Sequence, residues 1–323
     1  MKNSIKNYVS ITIDIDTLGE DFSTGNLSKN DSEKIRRLAY NKSLPRILDI
    51  LQGLGIKATF FIIGKDGLIH SNKRVIRDIA SRGHEIANHS LAHRRDLVKL
   101  NKNEIIEDIS LSGKILSDIT GDKLYGFRMP GCTINNTILN ALEGMGYIYD
   151  SSLNSSIAYN LAKLLYKGLF AKGNIPAPCQ GISSLRAPGE PYFPDKKNIF
   201  TSSNNNSGIL EIPITLVPWL SIPFMNYLLL TGGYRITELF YRLIRRKRKF
   251  LNFVMHDSEL ACFDDYQGQH LSCRLCGWHL NKDIRLREGF VNKILKMISL
   301  DYQFITLKEY AMISKGINSD PAR

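Results

Sequence analysis

Tyr8-Val-Ser-Ile-Thr-Ile-Asp14-Ile-Asp16 is an apolar strand pattern that closes on two carboxylates two positions apart. Tyr8 to Ile15 reads as a β-strand, and successive side chains of a strand point to opposite faces. Asp14 and Asp16 therefore share one face. Outward from this segment, strand-like and helix-like stretches alternate along the chain. Further strand candidates are Lys57–Ile63, Glu85–Ala87, Leu124–Phe127, Tyr147–Tyr149, Leu210–Ile212, Phe250–Met255 and Phe304–Thr306. Between them, helices are expected over Leu44–Leu54, Lys73–Ser81 and Asn103–Ile119, each followed by a glycine stop (Gly55, Gly83, Gly121). Such alternation predicts an α/β fold, and roughly seven or eight β/α units in one chain suggest a (β/α) barrel. At the C-terminal mouth of a barrel, Asp14 and Asp16 would point together into the usual active-site region.

No internal repeat is visible. The polar stretches Leu18–Asp31 and Lys196–Ser207 read as loops rather than linkers, so one catalytic domain over residues 5–313 is expected, with 314–323 as a tail. At 323 residues, 43% apolar and 23% charged, the chain can bury a large core and does not have a disordered composition. The net charge of +12 favours acidic partners in general, yet no nucleic-acid-binding motif accompanies it. No apolar leader with a cleavage site follows Met1, and the cysteines number five (Cys132, Cys179, Cys262, Cys273, Cys276), so a reducing, cytoplasmic setting is expected. Residues Ile209 to Leu230 are apolar, but Glu211, Pro213, Pro218 and Pro223 break them too often for a membrane-spanning helix. The basic run from Arg242 to Lys249 follows soon after. Two readings stand: a buried strand and loop followed by a solvated helix face, which we prefer, or a surface resting on the inner face of an anionic membrane.

Polar clusters recur at strand ends. His89 and His93 have the i, i+4 spacing that lets two imidazoles converge on one ion, and with one carboxylate they make the ligand set of an open catalytic metal site. His84 reads as structural. Gly126-Phe127-Arg128-Met129-Pro130-Gly131 puts an arginine at another strand end, and Asn252-Phe253-Val254-Met255-His256 ends a late strand on a histidine. Taken singly, each has an ordinary structural explanation; four clusters at four strand ends do not.

In order, Thr-Ile-Asp-Ile-Asp, Ala58-Thr-Phe-Phe61, His89-Ser-Leu-Ala-His93, Phe127-Arg-Met-Pro130 and Val254-Met-His256 resemble the motifs of the polysaccharide deacetylase (NodB homology) family. Phe304-Ile-Thr-Leu-Lys-Glu-Tyr310 resembles its closing strand and helix. The resemblance implies a distorted barrel with Asp16, His89 and His93 as metal ligands, the metal being zinc, or cobalt, nickel or manganese. It implies Asp14 as general base, Arg128 as the group that orients it, and His256 as general acid. Asp150 matches a family position near that histidine, and the Gly131 N–H matches an oxyanion donor. One departure is plain: many members carry Asp-Asp-Gly where this chain has Asp14-Ile-Asp16-Thr17, as in the branch that includes intracellular and non-polymer amidohydrolases.

The implied activity is removal of an acetyl group from the nitrogen of a sugar carried by a nucleotide, a lipid phosphate or a glycan. Alternatives are a deformylase of a polyprenyl-phosphate-linked amino sugar, a hydrolase of a small non-sugar amide, and a non-catalytic glycan-binding barrel. The six-residue set Asp14, Asp16, His89, His93, Arg128 and His256 favours an enzyme. A second zinc at Cys262, Cys273, Cys276 and His279 is weighed against three reduced thiols, and the thiols are preferred.

Overall fold

The first strand, β1 (Tyr8–Asp14), sorts its side chains by parity. Val9, Ile11 and Ile13, with Ile15 beyond the strand, lie in the main apolar core, while Ser10, Thr12 and Asp14 project from the opposite face. Our computed structural model describes residues 7–16, 33, 36–157, 159–160, 182–266 and 282–317. Within them the chain continues through α1 (Leu44–Gly53), β2 (Thr59–Ile62), α2 (His70–Ser81), β3 (Glu85–Asn88), α3 (Lys102–Thr120), β4 (Gly126–Phe127), α4 (Asn136–Gly144), β5 (Tyr149–Asp150) and β6 (Leu210–Glu211). Then come a hairpin, β7 (Leu216–Val217) and β8 (Ile222–Pro223), and α5 (Asn226–Arg245), β9 (Phe250–His256), α6 (Ile284–Ile298), β10 (Gln303–Phe304) and α7 (Leu307–Ser314).

The main sheet is parallel throughout, and β1 is its spine. β9 runs along one edge of β1 from Tyr8↔Phe250 to Asp14↔His256. The other edge is shared: β10 pairs with Tyr8 and Val9, and β2 pairs with Thr12 to Asp14. β3, β4, β5 and β6 follow in order. Eight strands thus occupy seven positions around the curl: the alternation predicts a barrel, and the distortion is the one the family resemblance implies. Between β6 and β9 no strand ladder forms. The gap is spanned by Thr215, whose N–H donates to Asn252 O and whose hydroxyl accepts from Asn252 N–H, and by a bridge between Met225 and Val254.

Local chemistry sets the helix ends. A capping box closes the start of α3, where Asn101 accepts from the Glu104 N–H and Glu104 reaches back to Asn101; Gly121, at φ 79°, ends the helix in a left-handed turn. A second box, Thr306 with Glu309, starts α7. The helices cover the outside of the sheet with one large apolar core. A smaller one, including Phe61, Tyr149, Leu210, Phe250 and Leu307, fills the inside of the barrel at the α7 end. Glu85 sits there, accepting from Thr59 Oγ1, Tyr149 Oη and the Lys308 N–H. Burial outweighs those bonds and pushes its carboxyl up to about 7.

Several expected bounds move by one to three residues. The stretch Ile209–Leu230 resolves into β6, the hairpin and the first turn of α5, and among the described residues no helix is long and apolar enough to cross a membrane. Leu18–Asp31, Cys179, Cys273, Cys276 and His279 lie outside the described residues, so the cysteine cluster finds no structural account; Cys132 and Cys262 form no disulfide among the described residues. His84, at the start of β3, accepts the Ala58 N–H at Nδ1, and burial together with Lys57 and Arg82 lowers its pKa to about 4.

Candidate metal and acid–base site

Four strand ends meet at the C-terminal mouth. Asp14 closes β1 directly beside His256 of β9, and Asp16 lies one step beyond on the same face. His89 leaves β3, and the chain then turns through Ser90 at φ 63° and His93 at φ 54°. Left-handed backbone at two non-glycine residues is unfavourable and persists where the surroundings enforce it. Here it turns His93 back toward His89. The i, i+4 spacing is therefore realised by a strained turn, not by a turn of helix.

The result is a compact donor set. Asp16 Oδ1 lies 3.1 Å from His89 Nε2 and 3.3 Å from His93 Nε2. One ligand atom from each of the three residues falls within 4.8 Å of the other two. His89 Nδ1 sits 2.8 Å from the Arg128 carbonyl, a contact that fixes the ring and turns Nε2 toward Asp16. Burial acts to raise the Asp16 carboxyl, but His93, His89 and His256 outweigh it and hold it well below the usual carboxylate range. Two neutral-capable imidazoles and an ionised carboxylate, converging and oriented from behind, fit a divalent metal of the zinc type.

Flanking this set are two tethered proton-transfer groups. Arg128, fully buried after β4, donates from Nη1 to Asp14 Oδ1 at 2.5 Å. Its other bonds go to Thr12 Oγ1, Ser151 O and Ser151 Oγ, and its guanidinium lies 4.1 Å from the centre of the Phe61 ring. His256 Nε2 lies 3.8 Å from Asp16 Oδ2, while its Nδ1 is 3.1 Å from Glu259 Oε1. Burial disfavours the imidazolium, yet the Glu259 bond and the charges of Asp16, Glu259 and Asp14 push the His256 pKa up to about 10. Met129-Pro130-Gly131-Cys132 forms a tight turn, with the Cys132 N–H donating to Met129 O and Gly131 at φ 73°. That places Pro and Gly where a type II turn wants them and leaves the Gly131 N–H outside the turn's own bond.

Residues 6–149 match the family model described as polysaccharide deacetylase. Over that stretch the chain is similar to the polysaccharide deacetylase family. Its relatives include a bifunctional xylanase/deacetylase of Pseudobutyrivibrio xylanivorans, 28% identical over 39% of this chain and 22% of that protein. A chitin deacetylase of Pestalotiopsis sp. is 32% identical over 31% and 34%, and a peptidoglycan-N-acetylglucosamine deacetylase of Bacillus cereus is 30% identical over 32% and 46%. The chain thus spans from about a fifth to under a half of the length of these relatives. In fold it resembles a polysaccharide-deacetylase-like protein of Mycobacterium smegmatis, with a TM-score of 0.60 at 16% identity, covering 98% of this chain and 93% of that one. The Puue allantoinase fits equally, at 0.60 and 16%, covering 98% and 92%.

The family match ends before His256, so the acid side of the site rests on geometry alone. There the expected partner changes. Asp150 is not brought to His256: it faces the other side of β5, accepts from Ser152 Oγ and the Ser152 N–H, and shares a hydrogen bond with Glu211. The residue that holds the imidazole is Glu259, which sequence reasoning missed. It is 1% exposed and is itself fixed by Asn226 Nδ2 at 2.6 Å. Its signal was the i, i+3 spacing from His256, delivered by a short 3₁₀ turn over Asp257–Leu260. Also missed was Asp257, whose Oδ1 accepts the Asp16 N–H at 3.1 Å and whose carboxyl burial pushes up to about 7.

Proposed function

We propose that the protein is a metal-dependent hydrolase that removes the acetyl group from the nitrogen of an amino sugar. One observation carries this: the Asp16-His89-His93 donor set lies beside a carboxylate clamped by a cation (Asp14–Arg128) and an imidazole backed by a carboxylate (His256–Glu259). An amide needs both partners, because it must gain a nucleophile's electrons and lose an amine that leaves poorly without a proton. A divalent ion held by Asp16, His89 and His93 would supply Lewis acidity toward the amide carbonyl and lower the pKa of water.

The chain's own groups do the rest. Arg128 occupies Asp14 Oδ1 and fixes that carboxylate, so Oδ2 is the oxygen that accepts a proton from the attacking water. His256 donates from Nε2 to the departing nitrogen, while Glu259 keeps the opposite ring nitrogen engaged. Such base and acid contributions are each worth about 10²–10⁴-fold. The Gly131 N–H is a donor for the developing oxyanion. The names of the relatives, peptidoglycan and chitin deacetylases, support a sugar substrate, and the departure from Asp-Asp-Gly at Asp14-Ile15-Asp16 supports a nucleotide, lipid-phosphate or short-glycan carrier over a long polymer.

The test is release of acetate and formate from N-acylated amino sugars, free, nucleotide-linked and polyprenyl-phosphate-linked, with zinc or cobalt. Acetate release that follows metal content and vanishes in His89→Ala is expected. Metal-loaded protein that releases no acyl group from any sugar in the panel would refute the reading.

A further inference from the structure

An indole and a leucine are offered to solvent at a hairpin tip. Between β7 and β8 the chain turns through Pro218-Trp219-Leu220-Ser221. Trp219 is 74% exposed and Leu220 46%. Trp219 also holds φ 63° and Ser221 φ 53°, left-handed backbone that bulky residues rarely adopt. A strained turn that carries an indole outward, instead of folding it onto the nearby core, points to a role for the exposed ring.

The surroundings say what the ring meets. Lys247 Nζ lies 5.5 Å from the centre of the Trp219 ring, which ties the tip to the C-terminal end of α5. That helix keeps one face exposed through Arg235, Leu239, Arg242 and Arg246, at offsets of 4, 7 and 11 residues, with Ile236 beside it. Leu239 is 55% exposed. Arg242 pairs with Glu238 on the same helix, whereas Arg235 and Arg246 have no carboxylate partner among the described residues. Aliphatic side chains interspersed with cations, next to a Trp–Leu tip, have the chemistry of a bilayer interface. The indole sits at headgroup level, the leucines reach the acyl boundary, and the guanidinium groups meet anionic headgroups.

We infer that the Trp219-Leu220 hairpin tip and the exposed face of α5 form a surface that docks the protein peripherally on an anionic membrane. Charge complementarity selects this occupant over a protein partner, since exposed cations alternate with exposed apolar residues along the same helix face. The aliphatic residues select it over a nucleic acid, to which Leu220, Ile236 and Leu239 would offer nothing. The inference is independent of the proposed reaction, because none of these residues touches the metal and acid–base site.

The test is co-sedimentation of the full chain with vesicles of phosphatidylcholine alone or mixed with phosphatidylglycerol. Preferential binding to the mixed vesicles is expected, weakening as salt rises. Each cation near such a surface contributes about fivefold, so Arg242→Gln/Arg246→Gln should bind roughly 25-fold more weakly. Trp219→Ser/Leu220→Ser should lose at least about tenfold on the same vesicles. All four side chains are exposed, and unchanged thermal unfolding of each variant would show that it is folded; Leu239→Ser serves as a third variant if one is not. No preference for anionic vesicles, tip and charge variants that bind like the parent, or binding competed by soluble polyanion equally in parent and tip variant would overturn the inference.

Discussion

Replacing Arg128 with methionine tests how the base is held. The guanidinium is 1% exposed and Asp14 is 8% exposed, so neither charge has water to fall back on. Arg128→Met would leave Asp14 as a buried carboxylate without its cation, and would strip donors from Ser151 O and Thr12 Oγ1. Breaking a buried pair from one side costs about 3–5 kcal/mol. We expect about 4 kcal/mol, which for a chain of this size is a fall in Tm of roughly 6 °C. Asp14→Asn should cost a similar amount, since it leaves the buried guanidinium unpaired. The double variant removes both charges at once, so its cost should be about 5 kcal/mol, well short of the sum. That leaves a coupling energy of about 3 kcal/mol, at the upper end for residues in direct contact. Urea unfolding of the four proteins at equal metal loading measures it. Additive losses, or an Arg128→Met cost below about 1 kcal/mol, would show that the pair does not organise the barrel mouth.

Glu259→Gln should lower kcat about 100-fold with little change in KM, and Glu259→Asp should recover part of the loss; an unchanged kcat would remove Glu259 from the mechanism. Glu85 gives a pH test of stability: its carboxyl is raised by burial from 4.5 to about 7. The folded state therefore binds this proton more tightly than the unfolded chain. Its contribution is full below about 4.5 and is lost as pH rises through about 7, an effect of at most about 3 kcal/mol. Stability relative to Glu85→Gln should accordingly fall between about pH 5 and pH 8 in urea titrations; a flat difference would contradict this. In Gly126→Ala the added Cβ would fall 1.9 Å from Tyr149 Cζ, inside a ring that is fully buried and bonded to Glu85. Overpacking of at least about 3 kcal/mol, or failure to fold, is expected, and a wild-type melting curve would disprove the packing described.

Periodicity made the strands and helices legible because it is a local property. Val9, Ile11, Ile13 and Ile15 bury against helices while Thr12, Asp14 and Asp16 face inward, and no distant residue is needed to read that. The capping residues and glycine stops mark helix ends to within a residue for the same reason, while the start of α2 and the starts of β2, β4 and β5 move by two or three, where pairing and packing partners set the first residue. The short strands were harder. β4, β5, β6 and β10 have two residues each, too few to show a period, and β7 and β8 were not anticipated at all.

The candidate site divides along the same line. Which residue types gather at the mouth was readable, since Asp14, Asp16, His89, Arg128 and His256 each stand at the end of a strand pattern and parallel strands bring their ends together. Which of them touch was not. Arg128 meets Asp14 from 114 positions away in the chain, and the choice of Oδ1 as its acceptor is made by Thr12, Ser151 and Phe61, which hold the guanidinium from three other strands or strand ends. Asp150 and Glu259 show the limit most clearly. Both are buried carboxylates near strand ends, but parity on β5 turns Asp150 toward Glu211, and a 3₁₀ turn after β9 brings Glu259 under His256. Local alternation and spacing can say that a carboxylate will be buried; the direction it faces there is set by contacts between segments far apart in the chain.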